Sequence, residues 1–257
     1  MRNRRSPRRG DRVASPVSIF CLGSSAALTS GGPWSSLLID GRILLEIPPT
    51  AVPELYRHGL DLARIDCVFI SHFHADHTFG LPFLLLEYRL RHPRATALTL
   101  VGPPGLERFV ETLCDTAWPD LRAAGQGLHV PLTFVEAEAE RETAIGDVRF
   151  VAVPVEHFDL AAFGYRIVYR GRTIAYTGDT GPCAALESLL EGADVAILEL
   201  THPRPTEDRG HLDVEEVAQL VAPLVARGAT VLATHMTETP RPIAGVTFCE
   251  PGKTYRV

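Results

Sequence analysis

The distribution of apolar and polar positions along the chain predicts many short strands alternating with helices. Short apolar runs bounded by Gly, Pro or Asp are typical of buried strands. Such runs predict strands at residues 16–22, 36–40, 42–47, 66–70, 98–101, 132–136, 148–155, 164–169, 172–176, 194–200 and 230–234. Because Asp40-Gly41 and Arg170-Gly171 each separate two of these runs, both dipeptides are predicted to form hairpin turns.

The segments between these strands predict helices. Helical patterns occur at residues 52–60, 79–92, 105–117 and 182–190, and a further helix begins at Asp213. Glu216 follows Asp213 by three residues, which is the spacing of a capping box. Pro82 is tolerable in the first turn of its helix, whereas Pro223 is expected to kink or crowd the helix that it lies in. Residues 119–130 are predicted to be a loop.

Strands and hairpins fill the first half of the chain, and strands then alternate with helices, in two broadly similar passes. No low-complexity linker divides the two passes. We therefore predict one α/β domain over residues 16–257, with two sheets and helices outside them. An apolar fraction of 46% and a charged fraction of 22% are ordinary for a globular protein of this kind.

Composition narrows the expected location of the protein. No apolar run approaches the roughly 18 to 20 residues that a membrane span requires, and the start lacks the apolar segment of a signal peptide. The five cysteines are scattered without a Cys-x-x-Cys pair. This spacing argues against a disulfide framework or a cysteine zinc knuckle and favours a reducing compartment. We expect a cytoplasmic protein that does not act at a membrane.

Charge is distributed unevenly between the start of the chain and the rest. Residues 1–12 hold six Arg and one Asp, a charge of +5. The net charge of the whole chain is −6, so the remaining residues together carry −11. We expect residues 1–15 to be a basic, disordered tail. A basic arm of this kind can also bind nucleic acid or an anionic membrane. The acidic body argues weakly against a broad RNA-binding face.

A dense group of metal-binding residue types follows the strand predicted at residues 66–70. His72, His74, Asp76 and His77 lie within six residues of one another. Ligands at the carboxyl end of a strand lie where open α/β sheets keep their sites. Imidazole and carboxylate groups suit zinc, iron or manganese. A single histidine is commonly structural, but this spacing predicts a metal site.

Three later residues emerge at the ends of predicted strands in the same way. His157 follows the strand at 148–155, Asp179 follows the hairpin, and His235 follows the strand at 230–234. Each alone could equally be structural. Together with the first group they can converge on one rim of the sheets, so we include them among the predicted ligands.

These residues together resemble the metallo-β-lactamase superfamily. The resemblance runs from about residue 16 onward and implies a four-layer αββα sandwich with a binuclear metal site at one edge. It implies that one ion is held by His72, His74 and His157, that the other is held by Asp76, His77 and His235, and that Asp179 bridges both. Zinc is the expected metal, with manganese and iron as alternatives.

Further segments resemble the ribonuclease Z-like branch of that superfamily. Residues 163–167 after His157 and residues 193–199 after the Gly-Asp-Thr turn both match it. His211 stands where that branch has a catalytic histidine, although a loop histidine touching the next helix is the structural alternative.

Two departures from related enzymes bear on the substrate. Only twenty-one residues separate His157 from Asp179, so no room remains there for the tRNA-gripping arm of ribonuclease Z. Similar phosphoribosyl cyclic phosphodiesterases carry a structural zinc on clustered cysteines near the first strand. Only Cys21 lies there, so that additional site is not expected.

We therefore expect a binuclear metal-dependent hydrolase, most simply a phosphodiesterase that acts on a small cyclic phosphodiester. A hydroxide bridging the two ions would be the nucleophile. His211 would protonate the leaving group. Asp76 is predicted to be a second catalytic residue in addition to being a metal ligand. Three alternatives stay open: an esterase, lactonase or arylsulfatase on the same site, an RNA-processing nuclease that uses the Arg-rich arm, and a sensor or scaffold with an inert site. A homodimer is implied by the resemblance alone.

Overall fold

A computed structural model describes residues 15–29, 31–123 and 129–257. Nearly all of the basic tail predicted at residues 1–15 lies outside the described residues, so that prediction is untested. No helix in these ranges is long and apolar enough to cross a membrane.

Strands supply two of the layers in the described part of the chain. Their bounds are β1 Ser18–Gly23, β2 Ser36–Ile39, β3 Ile43–Leu45, β4 Cys67–Phe69, β5 Leu98–Gly102, β6 Leu132–Glu136, β7 Glu142–Ile145, β8 Val148–Val155, β9 Ala162–Tyr169, β10 Arg172–Tyr176, β11 Val195–Glu199, β12 Thr230–Thr234, β13 Val246–Phe248 and β14 Thr254–Arg256.

Helices supply the other layers. Their bounds are α1 Ala51–Arg57, α2 Ala75–Thr78, α3 Leu81–Leu90, α4 Leu106–Ala117, α5 Pro119–Ala123, α6 Ala185–Leu190 and α7 Val214–Ala226, with a 3₁₀ turn at Leu62–Arg64.

The strands form two seven-stranded sheets of matching design. The first sheet has the order β14-β1-β2-β3-β4-β5-β6 and the second the order β13-β12-β11-β10-β9-β8-β7. In the first sheet the pairs from β14 to β3 are antiparallel and those from β3 to β6 are parallel. In the second sheet the pairs from β7 to β10 are antiparallel and those from β10 to β13 are parallel. The two predicted passes along the chain therefore correspond to two sheets.

Three apolar clusters join these layers into an αββα sandwich. Between the sheets, the Phe69 ring meets the rings of Phe150 and Tyr165, with centroids 5.1 Å away in both cases. A second cluster packs helices α1, α3 and α4 on the first sheet, and a third packs α6 and α7 on the second. The predicted four-layer fold is confirmed, because each sheet has one face on its partner and one face under helices.

Both predicted hairpin turns are present. β2 pairs with β3 across Asp40-Gly41, and β9 pairs with β10 across Arg170-Gly171. Backbone φ is +49° and +70° in the first turn and +50° and +78° in the second. Positive φ at both central residues is the type I′ geometry that matches strand twist, and glycine adopts it without strain.

Some elements differ from the prediction. Residues 119–123 form helix α5 instead of a loop, since Pro119 stands at its first position, where the missing N–H is harmless. The sequence pattern also missed β7, β13 and β14, which have four, three and three residues and lie at sheet edges. β3 and β4 are equally short, but they are fully buried and therefore lie in continuous apolar runs. The three missed strands are partly exposed and contain polar residues, so no apolar run indicates them. Helix α7 continues past Pro223 to Ala226.

The predicted capping box at α7 is present in full. Asp213 Oδ1 accepts hydrogen bonds from the N–H groups of Glu215 and Glu216, at 2.8 and 3.0 Å. In return, the Glu216 side chain accepts from the N–H of Asp213 at 3.0 Å. These bonds fix the start of the helix directly after the loop that contains His211.

We predict that Asp213→Ala lowers the free energy of unfolding by about 1 kcal/mol, because two N–H groups of α7 lose their acceptor. Urea unfolding followed by circular dichroism measures the change. Asp213→Asn keeps an acceptor oxygen and should retain most of the stability. An alanine variant that unfolds at the wild-type urea concentration would contradict the assigned cap.

Candidate metal centre

The seven predicted ligands come together at one edge of the sandwich, where strands of both sheets end. His72 and His74 follow β4, and helix α2 carries Asp76 and His77. The other three lie just beyond β8, β10 and β12 of the second sheet and are His157, Asp179 and His235. All of these side chains fall into overlapping groups whose ligand atoms lie within 4.8 Å of one another.

Three imidazoles form the first group. His72, His74 and His157 each offer one ring nitrogen within the 4.8 Å limit. Within this group His74 Nδ1 lies 3.2 Å from His157 Nε2. His72 and His157 are fully buried, while His74 is partly open to solvent. An all-imidazole triad of this size can hold a divalent transition metal.

A carboxylate and two imidazoles form the second group. Asp76 Oδ2 lies 3.5 Å from His77 Nε2 and 3.3 Å from His235 Nε2. Burial alone would raise the pKa of Asp76, but its contacts with His235 and His77 hold that pKa well below the usual range. Asp76 is therefore ionised, as a carboxylate ligand must be.

One oxygen atom of Asp179 faces both groups. Asp179 Oδ2 lies 3.2 Å from His77 Nε2, 3.3 Å from His235 Nε2 and 4.0 Å from His72 Nε2. Burial raises its pKa, but the neighbouring His235 and His77 outweigh burial and hold the pKa of Asp179 well below its usual value. A buried anion between the two triads has the position of a bridging ligand.

Several buried nitrogens at this centre lack a hydrogen bond of acceptable geometry among the described residues: His72 Nε2, His77 Nδ1 and His77 Nε2. Buried polar atoms normally have a partner, so a group of orphaned ones requires an explanation. Burial, followed by the charge of His77, lowers the pKa of His72 well below its usual value. Neutral imidazole is the metal-binding form, so His72 is ready to bind a cation. Burial lowers the pKa of His77, but the charge of Asp179 and hydrogen bonds to the surrounding carboxylates raise that pKa well above its usual value. A divalent ion would replace this proton as the positive partner of the carboxylates, so the residues present fit divalent ions.

The outward-facing nitrogens of three ligand rings are held by neighbouring groups. His157 Nδ1 donates to the carbonyl of Gly210 at 2.7 Å, which directs Nε2 into the centre. His72 Nδ1 lies 2.9 Å from Ser71 Oγ, and His235 Nδ1 lies 2.8 Å from the Thr201 hydroxyl. Contacts of this kind fix the tautomer and the orientation of a ligand ring.

Glu46 is a functional residue that our sequence reasoning missed. It is fully buried and its carboxylate accepts from Ser71 N–H and from the Tyr176 hydroxyl, both at 3.0 Å. Its other oxygen lies 3.5 Å from His77 Nδ1. Glu46 thus supports both the segment that carries the first ligands and the ring of His77. A charged residue inside the apolar run 43–47 was the available signal.

A second buried carboxylate, Glu199, holds the predicted catalytic histidine. Glu199 Oε1 accepts from His211 Nδ1 at 3.0 Å and from the N–H of Leu212 at 3.2 Å. Burial lowers the pKa of His211, but the hydrogen bond and charge of Glu199, with Asp179 and Asp208, raise it to about 9. His211 Nδ1 also lies 3.9 Å from Asp179 Oδ2, so the ring borders the candidate centre.

The loop between Thr201 and His211 is braced from within. His202 lies 2.8 Å from Asp208 Oδ2 through Nε2, and Asp208 Oδ1 accepts from the N–H of Gly210 at 2.8 Å. The ring centroid of His202 lies 6.0 Å from that of His211. Its contact with Asp208 stabilises the loop that carries His211.

Comparisons with known proteins identify the family of this chain. The model of the β-lactamase superfamily domain matches residues 42–236. A ribonuclease Z of Macrococcus caseolyticus is 26% identical, over 72% of this chain and 76% of its own. A ribonuclease BN of Escherichia coli is 30% identical, over 65% of this chain and 70% of its own. The crystal structure of the short form of human tRNase Z has a TM-score of 0.74 at 22% identity, over 93% of this chain and 98% of that one.

The family match spans both triads, Asp179 and His211, and stops one residue after His235. The fold, with two mixed sheets flanked by helices, is the one that the resemblance implied. Because a family model covers more than half of the chain, the relationship does not depend on any single motif. The chain is a metal-dependent hydrolase that belongs to the β-lactamase superfamily, in its ribonuclease Z-like branch with the metallo-β-lactamase fold.

Proposed function

We propose that this hydrolase is a binuclear metallophosphodiesterase that acts on a small, cyclic phosphodiester. The observation that supports the proposal most strongly is the position of Asp179, whose single Oδ2 atom faces His77, His235 and His72 at 3.2 to 4.0 Å. A buried carboxylate between two triads is suited to joining two cations in one centre.

The ligands divide between two ions in this proposal. His72, His74 and His157 would hold one, Asp76, His77 and His235 would hold the other, and Asp179 would contribute to both. The donor set of nitrogen and carboxylate oxygen suits zinc, with manganese and iron as alternatives. When bound, such ions supply an activated water at neutral pH and a positive clamp for phosphoryl oxygens.

The protein's own groups then orient water and move protons. The ionised Asp76 carboxylate lies at the edge of the second triad, where it can accept a hydrogen bond from the attacking water. His211 is held through Nδ1 by Glu199, which leaves Nε2 to donate a proton to the leaving oxygen. A carboxylate behind the ring keeps the imidazolium form available for this step.

Two features favour a small substrate over tRNA. The segment between His157 and Asp179 is occupied by one turn and the β9–β10 hairpin, with no long insertion. Two arginines on the loops that follow β11 and β12 form ion pairs: Arg204 with Glu238, and Arg241 with Glu215. Such pairs leave little free positive charge from these two residues for a long phosphate backbone.

RNA processing is the second candidate, and the names of the two bacterial relatives favour it. The same centre could cut a phosphodiester at the end of an RNA chain. In that case residues 1–12, with six arginines, are the segment best suited to phosphate contacts.

We predict that Asp179→Ala lowers the metal content from two divalent ions per chain and reduces phosphodiesterase activity. The loss should exceed the roughly 100- to 10,000-fold cost of removing an acid–base group, since the centre itself is disrupted. Elemental analysis and turnover of bis-p-nitrophenyl phosphate measure both effects. Asp159→Ala removes an exposed carboxylate near His157 and serves as the control. Full metal occupancy in the Asp179 variant would contradict the assignment.

His211→Ala should lower kcat about 100- to 10,000-fold for a diester with an alkoxide leaving group. The loss should be smaller for a p-nitrophenolate leaving group, which departs without a proton. Steady-state kinetics on both substrates, with the metal content checked, test this difference. Equal losses on the two leaving groups would remove His211 from the role of proton donor.

Deletion of residues 1–12 separates the two candidate functions. We expect turnover of a nucleoside 2′,3′-cyclic phosphate to be unchanged, because the small substrate needs no contact with the arm. Kinetic measurements over a range of salt concentrations compare the full chain with the deletion variant, both in metal-replete form. Esters, lactones and 3′-extended tRNA are tested as the other substrates. If only the tRNA is cut, and cleavage is lost with the arm, the RNA-processing function is correct instead.

A further inference from the structure

Phe158 is a large apolar side chain exposed at the mouth of the candidate centre. Its neighbour His157 is fully buried, whereas 61% of Phe158 is open to solvent. A single exposed phenylalanine is not unusual on a protein surface. What distinguishes this one is the way in which its backbone and its ring are held.

The backbone of Phe158 has an uncommon conformation for a bulky residue. Its φ is +50°, in the left-handed region that residues other than Gly, Asn and Asp rarely adopt. The N–H of Leu160 donates to the carbonyl of His157 at 3.2 Å and closes the turn around it. Strained residues of this kind concentrate at functional sites, where the surrounding structure imposes them.

Gly210 provides the surface on which the ring rests. A Cβ atom on Gly210 would lie 2.2 Å from Cζ of Phe158, so the ring lies directly against the backbone of Gly210 and a larger residue there would displace it. Gly210 is itself fixed, because its N–H donates to Asp208 and its carbonyl accepts from His157. The ring of Phe158 is therefore supported by a backbone segment that the candidate metal centre also uses.

The supported ring borders the groups that carry the proposed reaction. Its centroid lies 4.9 Å from that of His157, and 5.9 Å from that of His211 in an edge-on arrangement. In the proposed function His211 serves the leaving oxygen, so Phe158 flanks the leaving group. An exposed aromatic ring at that point offers a planar apolar surface to whatever the leaving oxygen is attached to.

We propose that Phe158 determines substrate specificity by stacking against a planar ring, such as a nucleobase, on the leaving side of the phosphodiester. This inference rests on the proposed function and makes it narrower: the substrate class becomes nucleoside phosphodiesters and not base-free sugar phosphates. Every nucleobase has a π-face, so stacking tolerates all four bases. A cyclic mononucleotide and the end of an RNA chain both present such a base, and the chemistry of recognition is the same for the two sources.

A matched pair of substrates tests the stacking directly. Adenosine 2′,3′-cyclic phosphate carries the base, and 1,4-anhydroribitol 2,3-cyclic phosphate is the same cyclic ester without it. Wild type, Phe158→Ala, Phe158→Leu and Phe158→Tyr are compared by kcat and KM on both, with the metal content and melting temperature checked. Phe83→Ala is the matched control, since Phe83 is 48% exposed on α3 and its ring contacts Trp118.

We expect Phe158→Ala to raise KM for the nucleoside substrate about tenfold, within the roughly 5- to 160-fold range of base stacking on an aromatic side chain. KM for the base-free substrate should be unchanged, and kcat should change little on either. Phe158→Tyr should restore the discrimination, and Phe83→Ala should behave as wild type. The same variants on a short oligoribonucleotide identify the source: an effect confined to the oligonucleotide indicates an RNA end.

Several outcomes would overturn the inference. Equal losses on the two cyclic substrates would assign Phe158 a structural role, and full retention by Phe158→Leu would replace stacking with general apolar contact. Calorimetry compares the binding of adenosine 3′-monophosphate with the binding of the base-free phosphate, and so measures stacking without turnover. If wild type hydrolyses no diester but this binding depends on Phe158, the proposed function fails while the stacking holds. If binding depends neither on the base nor on Phe158, the stacking proposal is wrong.

Discussion

The contact between the buried carboxylate of Asp179 and the imidazoles around it is the interaction on which the rest of the site depends. Only 2% of Asp179 is exposed, and its Oδ2 atom lies within 4.0 Å of ring nitrogens of four histidines: His72, His77, His211 and His235. Burying this many polar groups is costly unless they are paired. The arrangement is understandable for a hydrolase whose centre is built for divalent cations, since cations satisfy both the carboxylate and the orphaned nitrogens.

Two buried glutamates act in the same way on opposite sides of this centre. Glu46, directly after β3, accepts from the backbone of Ser71 and lies behind His77. Glu199, at the end of β11, accepts from the backbone of Leu212 and lies behind His211. Each carboxylate therefore fixes both a loop and the imidazole that the loop carries. In each sheet a rigid strand supports residues that are themselves on irregular segments, which is how a site gains precise geometry.

The mouth of the site is organised by one loop. Asp208 holds the backbone of Gly210, the carbonyl of Gly210 holds His157, and the ring of Phe158 rests on Gly210. The capping box at Asp213 ends this loop by starting α7. The candidate ligand His157, the proposed proton donor His211 and the proposed substrate contact Phe158 are thus connected through a single backbone segment. A change in this loop is expected to affect more than one of these properties together.

The two hairpin turns and the capping box could be predicted because each is encoded by residues that are near one another in the chain. The fold class and the candidate ligands were predicted from the order of apolar runs and from the polar residues at their ends, although those ligands are far apart in the sequence. Asp40-Gly41 carries its own turn geometry, and Asp213 finds its partner Glu216 three residues away. The support from Glu46 and Glu199 and the edge strands were decided only by the tertiary structure. Glu46 meets Ser71 and Tyr176, 25 and 130 positions away, and Glu199 meets His211 across a loop, 12 positions away. Local patterns carry no information on which distant groups meet, since that depends on how two sheets pack.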